Sequence, residues 1–154
     1  MTAPRNEAYR MLAELSVPSE PGNERLAMEE VAGTVEGLGL PDKTLERLKT
    51  AVAEATMNAM EHGNQYRAEV PVLIEVAASD ADLSVRITDE GSGPPAFDSE
   101  TPDLAAKLDG AQTPRGWGLF LIKSMVDEMN VTGDERHHTI ELIVHRGGRA
   151  EGGK

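Results

Sequence analysis

Three short stretches hold side chains whose types and spacing could do chemistry. The first is "EATMNAMEHGN", residues 54–64, where Glu54, Asn58 and Glu61 recur at intervals of four and three. On a helix those intervals bring two carboxylates and an amide onto one face. A solvated face would carry the same residues, but asparagine has modest helix propensity and inside a helix usually has a local or ligand-bound use. The second is "TDEGSG", residues 88–93, where Asp89, Gly91 and Gly93 follow directly on the alternating run "DLSVRIT". A turn alone would satisfy this pattern. Equally, a carboxylate at a strand end offers an acceptor for an exocyclic amino group such as that of adenine, and the glycines leave a backbone bare enough for a flat ring to lie against it. The third is "TPRGWGLFLIKSMVDEM", residues 113–129, in which Gly116 and Gly118 open a helix instead of closing one. Exposed backbone N–H groups at the positive end of a helix dipole suit a phosphate, although a plain turn into a helix would look the same. Trp117, the single tryptophan, reads as lid or core packing.

The elements that must position these groups follow from periodicity. "YRMLAELSV" reads as a strand, and in "PSEPGNE" either Ser19 or Asn23 is placed to cap a helix over 24–37, which "GLGLPD" then breaks. Leu45, Leu48, Val52, Ala55 and Ala59 form one apolar stripe and predict a helix over 42–62, begun by Asp42 and ended by Gly63. "VLIEVAAS" and "DLSVRITD", joined by "DA", predict an antiparallel hairpin with Leu83, Val85 and Ile87 on one face. Residues 94–115 are rich in Pro, Asp, Ser and Thr, with only "DLAAKL" periodic, and read as a mobile functional loop stiffened at its start by Pro94 and Pro95. A helix starting near Gly118 would turn Leu119, Ile122, Val126 and Met129 inward, and "TIELIVHR" pairs with "MNVTG" to finish the chain before a frayed, glycine-rich tail over 147–154. Strands beside segregated helices in this order predict an α+β two-layer sandwich.

Composition narrows the classes of function. At 154 residues and 39% hydrophobic content, the chain is expected to form one domain with its own core. It has no run of about 18 apolar residues, and "MTAPRNEAYR" lacks the apolar stretch of a secretory signal, so no membrane insertion is expected and a cytoplasmic location is. The lack of cysteine fits a reducing compartment and excludes thiolate metal sites. A formal charge of −12, with 15 Lys and Arg scattered along the chain, argues against nucleic acid as a partner.

Taken together, "EATMNAMEHGN", "DEGSG" and "RGWGLFLIKSMVDE" resemble the asparagine box and the two glycine boxes of the Bergerat-fold ATPases, the superfamily of DNA gyrase, histidine kinases and mismatch-repair ATPases. The "VPSEPGNERLAMEEVAG" opening, the "EHGN" ending and the short lid are most similar to the anti-sigma-factor serine kinases, over residues 9–146. That resemblance implies a two-layer sandwich with a mixed, mostly antiparallel sheet and helices on one face. It implies ATP and Mg²⁺ as cofactors, with Asn58 as metal ligand, Glu54 as general base, Asp89 as adenine reader and Gly91 and Gly93 shaping the base pocket. Gly116 and Gly118 would let the lid approach the phosphates, Arg115 would offset charge at the γ-phosphate, and His62 would be structural. The family's last strand usually begins Gly-Thr, whose hydroxyl supports the aspartate through water. Here the chain reads "HHTIEL", so the expectation is that Thr139 keeps this role while His138 replaces the glycine.

The function so implied is a protein serine kinase that phosphorylates an anti-sigma-factor antagonist of the small STAS type and binds a sigma factor, the logic of partner switching. A homodimer is implied as well. An ATP-dependent binding module that sequesters a partner without phosphotransfer is the alternative, and Glu54 separates the two, because a pure binder needs no base. A detached histidine-kinase catalytic domain fits less well, since no dimerisation helix with a phosphoacceptor histidine is present.

Overall fold

The computed structural model describes residues 9–91 and 114–147. Gly93, Pro94, Pro95, the "DLAAKL" segment and residues 148–154 lie outside the described residues. In chain order the elements are β1 (Arg10–Val17), α1 (Asn23–Thr34), a 3₁₀ turn (Glu36–Leu38), α2 (Asp42–Asn58), a π-helical turn (Ala59–Gly63), β2 (Val72–Ala78), β3 (Asp82–Asp89), α3 (Pro114–Met125), β4 (Glu128–Gly133) and β5 (His138–His145). No helix among the described residues is long and apolar enough to cross a membrane.

The strands form one sheet in the order β1-β2-β3-β5-β4, and all four pairings are antiparallel. Strict alternation builds its two faces. Ile74 lies opposite Ile87, which lies opposite Ile140, and Val76, Val85 and Leu142 align in the next inward row. Glu75, Arg86 and Glu141 align in the row between and point the other way. On that outer face the Glu141 carboxylate accepts from Ser84 Oγ at 2.8 Å and from Arg86 Nε and Asn130 Nδ2 at 3.3 Å. The inner face is covered by the helices, which contribute Val31 from α1, Leu48 and Val52 from α2, and Ile122 from α3 to a single core. Each such side chain, removed from water, contributes about 1.5–3 kcal/mol. The α+β two-layer architecture, with helices on one face, is therefore as expected, including Leu83, Val85 and Ile87 buried on one side of the hairpin.

Helix ends differ from expectation for local reasons. Neither Ser19 nor Asn23 caps α1: Ser19 Oγ donates to the Val70 carbonyl at 2.6 Å, and Asn23 Nδ2 donates to the Pro18 carbonyl at 2.8 Å. Both side chains hold the β1–α1 turn instead, and Gly22, with φ of 100°, reverses the chain into the helix. The helix stops at Thr34, short of 37. In α2, Asp42 is the first residue as expected, but the regular helix ends at Asn58 and the rest of the stretch to Gly63 is a π-turn. Pro114, not the glycine pair, opens α3, in keeping with the fit of proline to a first helical position. Leu119, Ile122 and Val126 are buried as expected, whereas Met129 belongs to β4 and packs at the margin of the core.

Candidate functional site

Asn58 sits where α2 gives way to the π-turn. Its side chain is buried, and its Nδ2 has no hydrogen-bond partner among the described residues. A buried N–H group without an acceptor costs about 1–3 kcal/mol, so such a group in a native fold calls for an outside acceptor such as a ligand oxygen. Glu54, one turn earlier and half-buried, shares its side of the helix. Of the three residues on that face only Glu61 is exposed, so a solvated face does not account for Asn58.

The π-turn brings the end of this helix against the sheet. Its wide hydrogen bonds run from Asn64 N to the Ala59 carbonyl at 2.8 Å and from Tyr66 N to the Met60 carbonyl at 2.7 Å. The extra residue per turn carries Gly63 flush against Asp89, where a Cβ at position 63 would overlap the carboxylate. Glycine is needed here for space. His62, half-buried in the same turn, places Nε2 3.8 Å from Glu61 Oε1.

Asp89 ends β3 with its carboxylate buried at 7% exposure. Oδ1 accepts the Gly91 backbone N–H at 2.7 Å, a charge-assisted bond that folds the chain back beneath the carboxylate. A Cβ at Gly91 would collide with Oδ1 and with the His138 ring. Two oxygens provide about four acceptor sites, so these neighbours do not exhaust the carboxylate.

Asn64, which in the sequence only ends the motif, is the hub behind this cluster. It is fully buried. Nδ2 donates to Ser19 Oγ at 3.0 Å and to the carbonyls of Val70 and Pro71 at 3.1 and 3.3 Å, while Oδ1 accepts the Glu90 N–H at 2.8 Å. One side chain thus fixes the β1–α1 turn, the entry to β2 and the backbone just after Asp89. The two residues that follow it, Gln65 and Tyr66, both adopt the left-handed region with φ of 55° and 54°. For non-glycine residues that conformation costs about 1–3 kcal/mol each and is typical of functional sites. Burial first, then the carboxylates of Glu61 and Glu24, push the Tyr66 phenol above its ordinary pKa.

The fold thus brings the asparagine-bearing helix end to Asp89 and Gly91. Arg115 and Gly116 fall in the first turn of α3, where backbone N–H groups lack intrahelical acceptors, and Gly118 falls in the second. Gly93 lies outside the described residues. Thr139 requires a correction. The β3–β5 register pairs Asp89 with His138 and Thr88 with Thr139, and successive residues face opposite sides of a sheet. Thr139 therefore faces the outer side, its hydroxyl 2.9 Å from that of Thr88. His138, buried at 9% exposure, holds the position beside Asp89, with Nδ1 3.3 Å from Oδ1.

Known proteins resemble the chain in sequence and in fold. Residues 17–144 match the histidine kinase-like ATPase domain. The chain is 28% identical over 127 residues to the serine-protein kinase RsbW of Listeria monocytogenes, covering 79% of each chain. It is 30% identical over 135 residues to the anti-sigma F factor of Bacillus cereus, covering 88% of each. A solved structure of the RsbU and RsbW domains of Rv1364c from Mycobacterium tuberculosis superposes with a TM-score of 0.63 at 16% identity, over 89% of this chain and 33% of that one, a likeness of fold. With an asparagine-bearing helix meeting an acidic strand end on a sheet of this order, the chain belongs to the histidine kinase-like ATPase domain family, in its anti-sigma-factor serine kinase branch.

Proposed function

We propose that this chain is an ATP-dependent protein serine kinase over residues 9–146. Its substrate is a small STAS-type anti-sigma-factor antagonist, and when that antagonist is absent or phosphorylated the chain holds a sigma factor inactive. The observation that carries the reading is the convergence of Asn58, whose buried amide has no partner among the described residues, and Asp89 through the π-turn that sets Gly63 against the carboxylate.

In this reading Asp89 accepts from the exocyclic amine of adenine, and Gly91 and Gly93 keep side chains off the plane of the base. Asn58 faces the phosphates, its Nδ2 donating to a phosphate oxygen and its Oδ1 available to a hard cation. A bound Mg²⁺ would offset the charge of the phosphates. Glu54 takes the proton from the substrate serine hydroxyl as that oxygen bonds to the γ-phosphorus and the bond to ADP breaks. Arg115 and the first-turn N–H groups of α3 balance charge on the transferring group. The net charge of −12 suits partners with basic surfaces.

The test is incubation with labelled ATP, Mg²⁺ and candidate antagonist proteins from the same genome. Asn58→Ala should lose nucleotide affinity and phosphotransfer together. Glu54→Ala should keep nucleotide and lose transfer by about 10²–10⁴-fold. Transfer that survives in the Glu54 variant would reject its assignment as base and return the chain to the sequestering module.

A further inference from the structure

Beside Asp89 stands a buried side chain to which the proposed mechanism gives no task. His138 enters it because β5 pairs with β3 in the register that sets position 138 opposite Asp89. Both side chains are largely removed from water. The imidazole Nδ1 is 3.3 Å from Oδ1, the same oxygen that takes the Gly91 N–H at 2.7 Å. A Cβ at Gly91 would meet Nδ1 and Cε1 of the ring, so the imidazole lies directly on the bare Gly91 backbone. On another side the carboxylate rests against Gly63.

We propose that His138 is a positioning residue for the nucleobase acceptor: it donates from Nδ1 to Asp89 and holds the carboxylate in the plane that receives the exocyclic amine of adenine. The proposal rests on the reading of Asp89 as adenine reader. A carboxylate turns easily about its last torsion, whose energy profile is broad. The Gly91 N–H holds Oδ1 from one direction, and a donor reaching the same oxygen from another direction narrows that torsion further. A distance of 3.3 Å is long for a full hydrogen bond, and polar contacts in ligand-free sites commonly tighten when the ligand arrives. The consequence is selectivity. A 6-oxo purine presents an acceptor where adenine presents a donor, and the penalty against it depends on the carboxylate being unable to turn away.

The inference is tested by calorimetric titration of ADP and IDP into the wild type, His138→Asn and His138→Leu. The amide nitrogen of asparagine stands as far along the side chain as Nδ1 and restores a donor, whereas leucine fills space without one. The wild type should prefer ADP. In His138→Leu, ADP affinity should fall about tenfold while IDP affinity stays within about twofold, and His138→Asn should keep most of the preference. Equal losses for both nucleotides in the leucine variant, or an unchanged preference, would show simple packing and overturn the proposal. Nitrogen-15 spectra of the histidine rings in the wild type give a second reading that needs no variant: His138 should carry its proton on Nδ1, and a neutral ring protonated only on Nε2 overturns the proposal. A wild type that binds both nucleotides equally would instead overturn the adenine reading of Asp89, leaving the ring spectrum to judge the pair.

Discussion

Replacing Gly63 by alanine adds one methyl group at the point where the helix end meets the acidic strand. Gly63 does not occupy the left-handed region, so its backbone accepts alanine, and the whole effect is steric. The new Cβ would overlap all three atoms of the Asp89 carboxyl group. If the carboxylate turns away, it gives up the 2.7 Å bond from Gly91. A hydrogen bond to a charged group contributes about 1.5–3 kcal/mol, and an off-rotamer side chain adds about 0.5–1.5 kcal/mol. If the π-turn shifts instead, overpacking costs about 1–3 kcal/mol. The two routes together span a loss of roughly 1–4 kcal/mol, which in a chain of this size lowers Tm by about 2–16 °C. The matched control is Gly33→Ala, because a Cβ there meets nothing within 4 Å among the described residues and the position lies in α1. Alanine in a helix should add about 0.5–1 kcal/mol. Thermal and urea denaturation of both variants, with ADP titration alongside, should therefore show shifts of opposite sign and an ADP affinity reduced at least about tenfold only in Gly63→Ala. A Gly63→Ala protein that melts with the wild type and binds ADP normally would refute the argued contact.

Two further outcomes follow from groups around and away from the pocket. Asn64→Ala should lower stability by about 2–4 kcal/mol, since it strands the Glu90 N–H and removes the donor to the Pro71 carbonyl, while the Val70 carbonyl keeps its bond from Ser19. Asn64→Asp should fare no better, because its second oxygen would face the carbonyls of Val70 and Pro71, and urea midpoints at constant slope report both. At the far end of the sheet, His145 Nδ1 lies 2.8 Å from Asp82 Oδ1, and this hydrogen bond, reinforced by Asp127 and Glu128, raises the histidine above its ordinary value of 6.5 despite some desolvation. The raised value favours the charged form in the fold, so the stabilisation is full below about pH 6.5 and is lost as pH rises through the folded value. Asp82→Asn should flatten that decline in urea midpoints collected across neutral pH. The effect is small because the pair is partly exposed.

The layers of this fold are legible in the sequence because burial repeats. Leu83, Val85 and Ile87 alternate with Ser84, Arg86 and Thr88, and only a strand with one covered face satisfies that rhythm. The stripe of Leu48, Val52, Ala55 and Ala59 marks the central helix for the same reason. Helix ends are less legible because capping residues have competing uses. Ser19 and Asn23 have the right chemistry for a cap, and both spend it on carbonyls of other segments. The Pro18 carbonyl belongs to the local turn, and the Val70 carbonyl to the entry of β2, a neighbour made only by the tertiary fold.

The site divides along the same physical line. Asn58 and Asp89 announce themselves by type, since an amide inside a helix and an acid ahead of glycines are each locally costly or unusual. Gly63, Asn64 and His138 act through partners remote in sequence, and their types are equally at home in a turn or on a surface. His138 shows the limit most sharply. In "HHTIEL" the question of which residue faces Asp89 is one of parity, and a shift of one position exchanges the inner and outer faces. Parity is not carried by β5 alone. It is set by the ladder from Asp82 opposite His145 to Asp89 opposite His138, anchored where Val85 and Leu142 meet in the core. Moving Thr139 inward to reach Asp89 would turn Ile140, Leu142 and Val144 out to water and bring Glu141 and Ile143 in. A net exposure of two large apolar side chains, at about 1.5–3 kcal/mol each, and one carboxylate buried in the core far outweigh any gain from a threonine hydroxyl beside the acid. The core therefore dictates that an imidazole, and not a hydroxyl, stands beside the acid.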